Sequence, residues 1–146
     1  MTDKDSPIRP GQLSVTVVVD NASGREDLHA EHGFSALLET DAGRLLFDVG
    51  TTPAVTLGNA DALGIDLGSL KAVALSHGHY DHTGALAEVL ARAPDASVYM
   101  HPRAVVPRRA SRLKIKRPIG MSDANREALE GREVIPVEKP MTTPQG

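Results

Sequence analysis

The pattern of apolar runs and breaks in this chain predicts an α/β fold, a mixed sheet with flanking helices. Three observations carry that expectation. Phe34–Thr40 and Arg44–Val49 are apolar runs joined across Asp41-Ala42-Gly43, which reads as a hairpin. The middle of the chain alternates strand, helix, strand, helix, strand, which implies parallel packing with the helices outside. The polar segment Ser76-His77-Gly78-His79-Tyr80-Asp81-His82-Thr83-Gly84 lies between an apolar run and a helix-like stretch, where α/β proteins place their chemistry.

Taken in order, residues 1–12 hold charges, two prolines and a glycine, and read as a flexible leader. Leu13–Val19 is β-branched and partly alternating, a first strand closed by Asp20-Asn21. Ala22–Glu31 is a polar loop carrying His29, and His32 opens the hairpin. Pro53–Gly64 predicts a helix, with proline in its first turn and glycine at its end, although Val55, Leu57 and Leu63 give no clean apolar stripe. A connector, Asp66–Leu70, leads to the buried strand Lys71–Ser76. A single helix is expected over Thr83–Ala93, stopped by Pro94-Asp95, and a strand over Ser97–Met100 ends at His101-Pro102. Ser122–Glu130 predicts a short capped helix and Glu133–Val137 a last strand, before a polar, turn-like end.

Composition narrows the function classes. The 146 residues amount to at most one domain, and the 40% apolar content is enough for a core of Val, Leu, Ile and Ala, since aromatics supply only 3%. Zero cysteines exclude disulfides and thiolate ligands, leaving His, Asp and Glu for any metal work. No apolar signal region opens the chain and no stretch approaches the roughly 20 apolar residues of a membrane span, so the expected location is cytoplasmic. A basic run holds Arg103, Arg108, Arg109, Arg112, Lys114, Lys116 and Arg117 with no acid among them. Pro107 interrupts it, Pro118 ends it, and no aromatic interleaves for base stacking. A solvated or anion-facing loop is therefore expected, and nucleic acid is not the expected partner.

The chemistry-bearing segment places three imidazoles and one carboxylate within six residues, in the spacing H-x-H-x-D-H. Residues two apart in extended chain point the same way, so His77 and His79 can reach one ion. Past His79 the chain must turn toward the helix announced by Gly84, Leu86, Val89 and Leu90, and that bend puts Asp81 and His82 where a second ion could sit. Imidazole and carboxylate are donors that zinc, iron and manganese all accept.

His77, His79, Asp81 and His82 resemble the signature of the metallo-β-lactamase superfamily, whose members are mostly metal-dependent hydrolases. Glu31–Thr40 and Leu45–Gly50 resemble the hairpin before that signature. The wording around the motif, with Tyr99-Met100-His101-Pro102 after it, is closest to the dihydropterin ribofuranosyl-aminobenzene phosphate synthase-like subgroup. The resemblance implies a four-layer α/β/β/α sandwich built from two similar halves. This chain would cover the first half, residues 13–146 forming a partial domain that lacks the C-terminal half. It implies two zinc ions, with iron or manganese possible: one bound by His77 and His79 with a later histidine, the other by Asp81 and His82 with further ligands. A metal-activated hydroxide would attack an ester, thioester, lactam or phosphoester in a small-molecule substrate, and Asp81 would orient it and take its proton. Asp48 would support the site from beneath, orienting loop backbone or a ligand histidine, against the plainer alternative of a strand-end turn.

The resemblance is incomplete after the motif. The later histidines of the family find no match, His101 being the only histidine beyond His82. His101 is a candidate for a metal or substrate contact or a plain strand end, and His32 a candidate for lining the pocket. Two donors per ion are few for tight retention. Half a sandwich also leaves an apolar sheet face open to self-association or to a complementing C-terminal-half chain. Three readings therefore stay open: a family hydrolase whose activity belongs to the complete domain, half of a split enzyme, or a non-catalytic remnant.

Overall fold

The computed structural model describes residues 11–112 and 115–145. The leader expected over residues 1–12 lies, apart from Gly11 and Gln12, outside the described residues, as do Lys114 and the Arg112 side chain. Strands β1 (Ser14–Val19), β2 (Ser35–Thr40), β3 (Gly43–Phe47), β4 (Leu70–Ala74), β5 (Ser97–Met100) and, far along the chain, Val134–Pro136 make one sheet. A separate two-stranded ribbon pairs β6 (Arg109–Arg112) with β7 (Ile115–Pro118), so the sheet's last member is β8. The order is β1-β2-β3-β4-β5-β8, antiparallel across the first three and parallel from β3 onward. This is the expected mixed α/β sheet. Helices α1 (Pro53–Ala62), α2 (Tyr80–Thr83), α3 (Leu86–Arg92) and α4 (Asp123–Glu127) complete it, with short 3-10 turns at Leu67–Ser69 and Pro102–Val105. Among the described residues no helix is long and apolar enough to cross a membrane.

Strand alternation sorts the apolar side chains onto two faces. Leu37, Leu46, Val73 and Val98 pack with Ala60, Leu86, Val89 and Leu90 of the helices to form the main core. On the other face Leu45, Ala72 and Tyr99 form a second cluster with Leu38, Phe47, Ala74, Ile135 and Val137, and among the described residues no helix residue joins it. Val15 and Val17 on the edge strand β1 stay 57% and 47% exposed.

Helix α1 shows why its apolar stripe was unreadable. Its buried residues are Thr56, Asn59 and Ala60, and two of the three are polar. Thr56 Oγ1 donates to the Val49 carbonyl at 2.8 Å, and Asn59 Nδ2 donates to the carbonyls of Val18 and His29 at 2.8 and 2.9 Å. The helix is held by hydrogen bonds to the ends of its neighbours as much as by apolar burial. It ends as the glycine predicts: Gly64 takes φ 69°, its N–H bonds the Asp61 carbonyl, and the Ile65 N–H bonds the Ala60 carbonyl.

The helix expected over Thr83–Ala93 forms as α3 from Leu86 to Arg92, and a separate short helix, α2, precedes it across a break at Gly84-Ala85. Two contacts account for the break. A Cβ on Gly84 would lie 1.9 Å from the Thr51 carbonyl oxygen, so only glycine allows the backbones this close. The Asn125 side chain of α4 enters the gap, donating to the carbonyls of Thr83 and Gly84 at 2.7 and 3.1 Å and accepting from the Ala87 N–H at 2.9 Å. The basic run also departs from expectation. It forms the β6–β7 ribbon rather than a loop, because β-pairing satisfies backbone groups that no core contact fixes.

Asn125→Ala leaves those groups without partners in a buried place, so it should lower the unfolding free energy by about 1–3 kcal/mol. Urea unfolding of the two proteins measures this, and an unchanged midpoint would show that the amide merely fills space.

Candidate metal centre

Strand β4 delivers the motif from the middle of the sheet. Leu75 is buried, and its N–H donates to the Tyr99 carbonyl at 2.9 Å. At Ser76 the chain leaves the sheet, and both the Ser76 N–H (2.8 Å) and its hydroxyl (2.7 Å) donate to the carboxylate of Asp48. Gly78 is pressed against the Pro102–Val105 turn, where a Cβ would meet the Ala104 carbonyl oxygen at 1.9 Å. His79 caps α2, its carbonyl accepting from the N–H groups of His82 and Thr83 and from Thr83 Oγ1. That one helical turn carries Asp81 and His82 back toward His77.

The result is a convergence. One donor atom each from His77, Asp81 and His82 lies within 4.8 Å of the others. This is the scale of an ion's coordination sphere, in which zinc bonds to nitrogen and oxygen run about 2.0–2.2 Å. His79 stands outside this trio, its ring meeting that of His77 edge-on at a centroid distance of 4.7 Å, while the His77 and His82 rings are 4.2 Å apart. The donor set, two imidazoles and a carboxylate, suits zinc, iron or manganese.

Asp48 lies beneath the trio, 1% exposed. Its backbone takes φ 55°, a left-handed conformation that Asp tolerates better than most residues. Its N–H bonds the Ala74 carbonyl at 2.8 Å, and the next N–H, of Val49, bonds the His82 carbonyl at 2.9 Å. Asp48 Oδ2 is 2.7 Å from His82 Nδ1. A carboxylate has no proton to give, so His82 donates from Nδ1, and its Nε2 faces Asp81 Oδ2 at 3.5 Å. Asp48 thus bonds both the loop backbone and a motif histidine.

His32 reaches the same place from the hairpin entrance. Glu31 accepts from the N–H groups of Thr51 and Thr52 at 2.8 and 2.9 Å, and Thr51 Oγ1 bonds the His32 carbonyl. These contacts hold His32 Nε2 3.2 Å from Asp81 Oδ2, although the imidazole itself is 71% exposed. His101 is used locally. Its Nδ1 accepts the Arg103 N–H at 3.1 Å and so caps the 3-10 turn, and it is not among the converging donors. His29 bonds Asn59 through its backbone N–H and carbonyl.

The basic ribbon is anchored at this loop. Gly120 bridges to His79, the Tyr80 N–H bonds the Ile119 carbonyl at 3.0 Å, and the Ile119 N–H bonds the Arg108 carbonyl at 2.9 Å. Arg103, Arg108, Arg109, Lys116 and Arg117 are exposed and make no ion pair among the described residues. Sequence reasoning gave no role to Ser76 or Glu31. Neither carries a spacing signal, because each acts through a partner distant in the chain, Asp48 for the one and Thr51 for the other.

These features meet a family pattern. The family model of the Metallo-beta-lactamase superfamily matches residues 30–144. The chain belongs to this superfamily. Over 92 residues it is 32% identical to the 7,8-dihydropterin-6-methyl-4-(beta-D-ribofuranosyl)-aminobenzene-5'-phosphate synthase of Methanocaldococcus jannaschii, a match covering 60% of this chain and 31% of that protein. Over 76 residues it is 38% identical to the uncharacterized protein MJ0448 of the same organism, covering 52% and 29%. The crystal structure of Tm1679, a metal-dependent hydrolase of the beta-lactamase superfamily, superposes with a TM-score of 0.68 at 32% identity, covering 90% of this chain and 44% of that one. The match thus spans under a third of each curated relative and under half of Tm1679. Within that span the fold is the one the superfamily resemblance implied.

Burial lowers the pKa of His77, and the neighbouring imidazoles His82 and His79 lower it further, against an opposing pull from Asp48 and Asp81. A depressed histidine pKa means the unfolded chain takes up that proton first as pH falls. This term therefore weakens the metal-free fold below the ordinary value of about 6.5. NMR titration of the metal-free protein should place the His77 midpoint below that value, and a midpoint at or above it would contradict this account of its surroundings.

Proposed function

We propose that this chain forms the metal-holding part of a metal-dependent hydrolase, with His77, Asp81 and His82 as ligands and His79 as a further imidazole beside them. The observation that carries this reading is the convergence of the three donors above a buried carboxylate, in a chain of the metallo-beta-lactamase superfamily. Zinc is the proposed ion, and iron and manganese fit the same donors. When bound, such an ion supplies Lewis-acid chemistry, bringing the pKa of water toward about 7 and polarising the attacked oxygen. Asp81 is the proposed proton acceptor, because its carboxylate is only 15% exposed and lies beside both His82 and His32. His32, on the open side, is placed to touch substrate.

The proposed substrate is a small molecule with an ester, thioester, lactam or phosphoester centre. The exposed cations Arg109, Lys116 and Arg117 of the ribbon anchored at the motif loop favour one that carries an anionic group. Since the chain spans 44% of Tm1679, turnover is proposed for a protein of the relatives' length. A partner is also proposed, either the complementing half-domain or a second copy of this chain; the exposed Val15 and Val17 of the edge strand β1 are the apolar side chains of the sheet left open to it.

The test is metal analysis of the purified chain with and without the donors. His77→Ala and Asp81→Ala should each lower zinc affinity at least about tenfold with the fold intact. Retention of metal in both variants would remove the assignment. Ester hydrolysis that appears only when a complementing half-domain is added supports the split arrangement. Metal binding that never yields hydrolysis, with or without that half, supports the non-catalytic remnant and overturns the hydrolase reading.

A further inference from the structure

Resting on the reading of His77 and His82 as ligands, we propose that Ser76 is a positioning residue. Its hydroxyl fixes the tautomer of His77 and ties both histidines to the same carboxylate oxygen. The argument is a count of protons. Asp48 is a buried acceptor that already receives the Ser76 N–H on Oδ1 at 2.8 Å. Its other oxygen, Oδ2, lies 2.7 Å from Ser76 Oγ and 2.7 Å from His82 Nδ1. Ser76 Oγ has one proton, and the 2.7 Å contact with Oδ2 is favourable only if that proton lies between them. The hydroxyl then has only lone pairs left for its remaining neighbour, His77 Nδ1, at 2.8 Å. His77 must therefore carry a proton on Nδ1, and in its neutral form it presents a bare Nε2.

His82 reaches the same state directly, by donating Nδ1–H to Asp48. Two histidines five residues apart thus receive the same tautomer from one oxygen, one of them directly and the other through Ser76. Imidazole side chains in water favour the proton on Nε2, which is the tautomer that cannot bind an ion through that atom. Holding the Nδ1–H form in advance removes a tautomer change from the binding step. The fixed ring orientation also adds to ligand basicity, as other carboxylate–histidine pairs do.

The test uses the metal-free full chain. Long-range proton–nitrogen NMR correlations on labelled protein report which imidazole nitrogen carries the proton. The wild-type protein should show His77 and His82 both as Nδ1–H. Ser76→Ala should shift His77 toward Nε2–H while His82, still held by Asp48, stays Nδ1–H and serves as the internal control for an intact fold. Zinc affinity should fall about 10- to 100-fold in Ser76→Ala, and Ser76→Thr, which keeps the hydroxyl, should restore both the tautomer and the affinity. An Nε2–H tautomer at His77 in the wild-type protein, or a His77 tautomer indifferent to Ser76→Ala, overturns the proposal even if zinc binds. The expected tautomers in a protein that binds no zinc would support the Ser76 assignment and overturn the metal reading instead.

Discussion

The carboxylate of Asp48 is the interaction on which the loop depends. A charged group taken out of water is costly unless every lone pair finds a donor. Here three donors meet it: the Ser76 N–H, the Ser76 hydroxyl and His82 Nδ1. They come from the end of β4 and from α2, while the carboxylate itself hangs from the end of β3. The parallel pairing of β3 with β4 brings the two strand ends side by side. The left-handed backbone at Asp48 turns the chain out of the sheet there, a conformation that costs on the order of 1–3 kcal/mol and persists only where its surroundings fix it. The bonds from Asp48 N–H to Ala74 and from Val49 N–H to His82 are those surroundings.

Around this anchor, backbone meets backbone with no side chain between. Gly33 approaches the Asp81 carbonyl, Gly78 the Ala104 carbonyl and Gly84 the Thr51 carbonyl, each closer than a Cβ would permit. The helix turn bearing Asp81 and His82 is therefore clamped from three directions: by the hairpin entrance, by the exit of β3 and by α4 through Asn125. Donors that must converge on a point less than 5 Å across cannot sit on a loop that moves freely, and this packing supplies the stiffness. The opposite face of the sheet carries a smaller apolar cluster, in which Leu45, Ala72 and Tyr99 are 7%, 1% and 7% exposed.

Much of this was legible in the residues. Alternation and β-branching located the sheet strands to within one or two positions, and the hairpin turn was explicit in Asp41-Ala42-Gly43. The H-x-H-x-D-H spacing pointed to a metal loop, and three of its four donors converge. What could not be read was tertiary in origin. The break in the helix after Thr83 depends on Thr51 and Asn125, both more than 30 residues away. Helix α1 hid its inward face because Thr56 and Asn59 are buried as hydrogen-bonding pegs, which a search for apolar periodicity passes over. The grouping of Asp81 and His82 with His77, rather than apart from it, follows from α2 beginning at Tyr80, a boundary fixed by the His79 cap and the Gly120 bridge.

The central claim is that the buried charge of Asp48 organises the ion-holding donors, and zinc titration of Asp48→Asn measures it most directly. Asparagine tolerates the same left-handed backbone, so the substitution removes the charge while leaving the chain path intact. An amide cannot receive both the Ser76 hydroxyl and His82 Nδ1–H on one charged oxygen, so zinc affinity should fall about 10- to 100-fold in a protein that circular dichroism shows still folded, with a lowered unfolding midpoint from the lost buried hydrogen bonds. Zinc affinity equal to that of the unaltered chain would contradict the account.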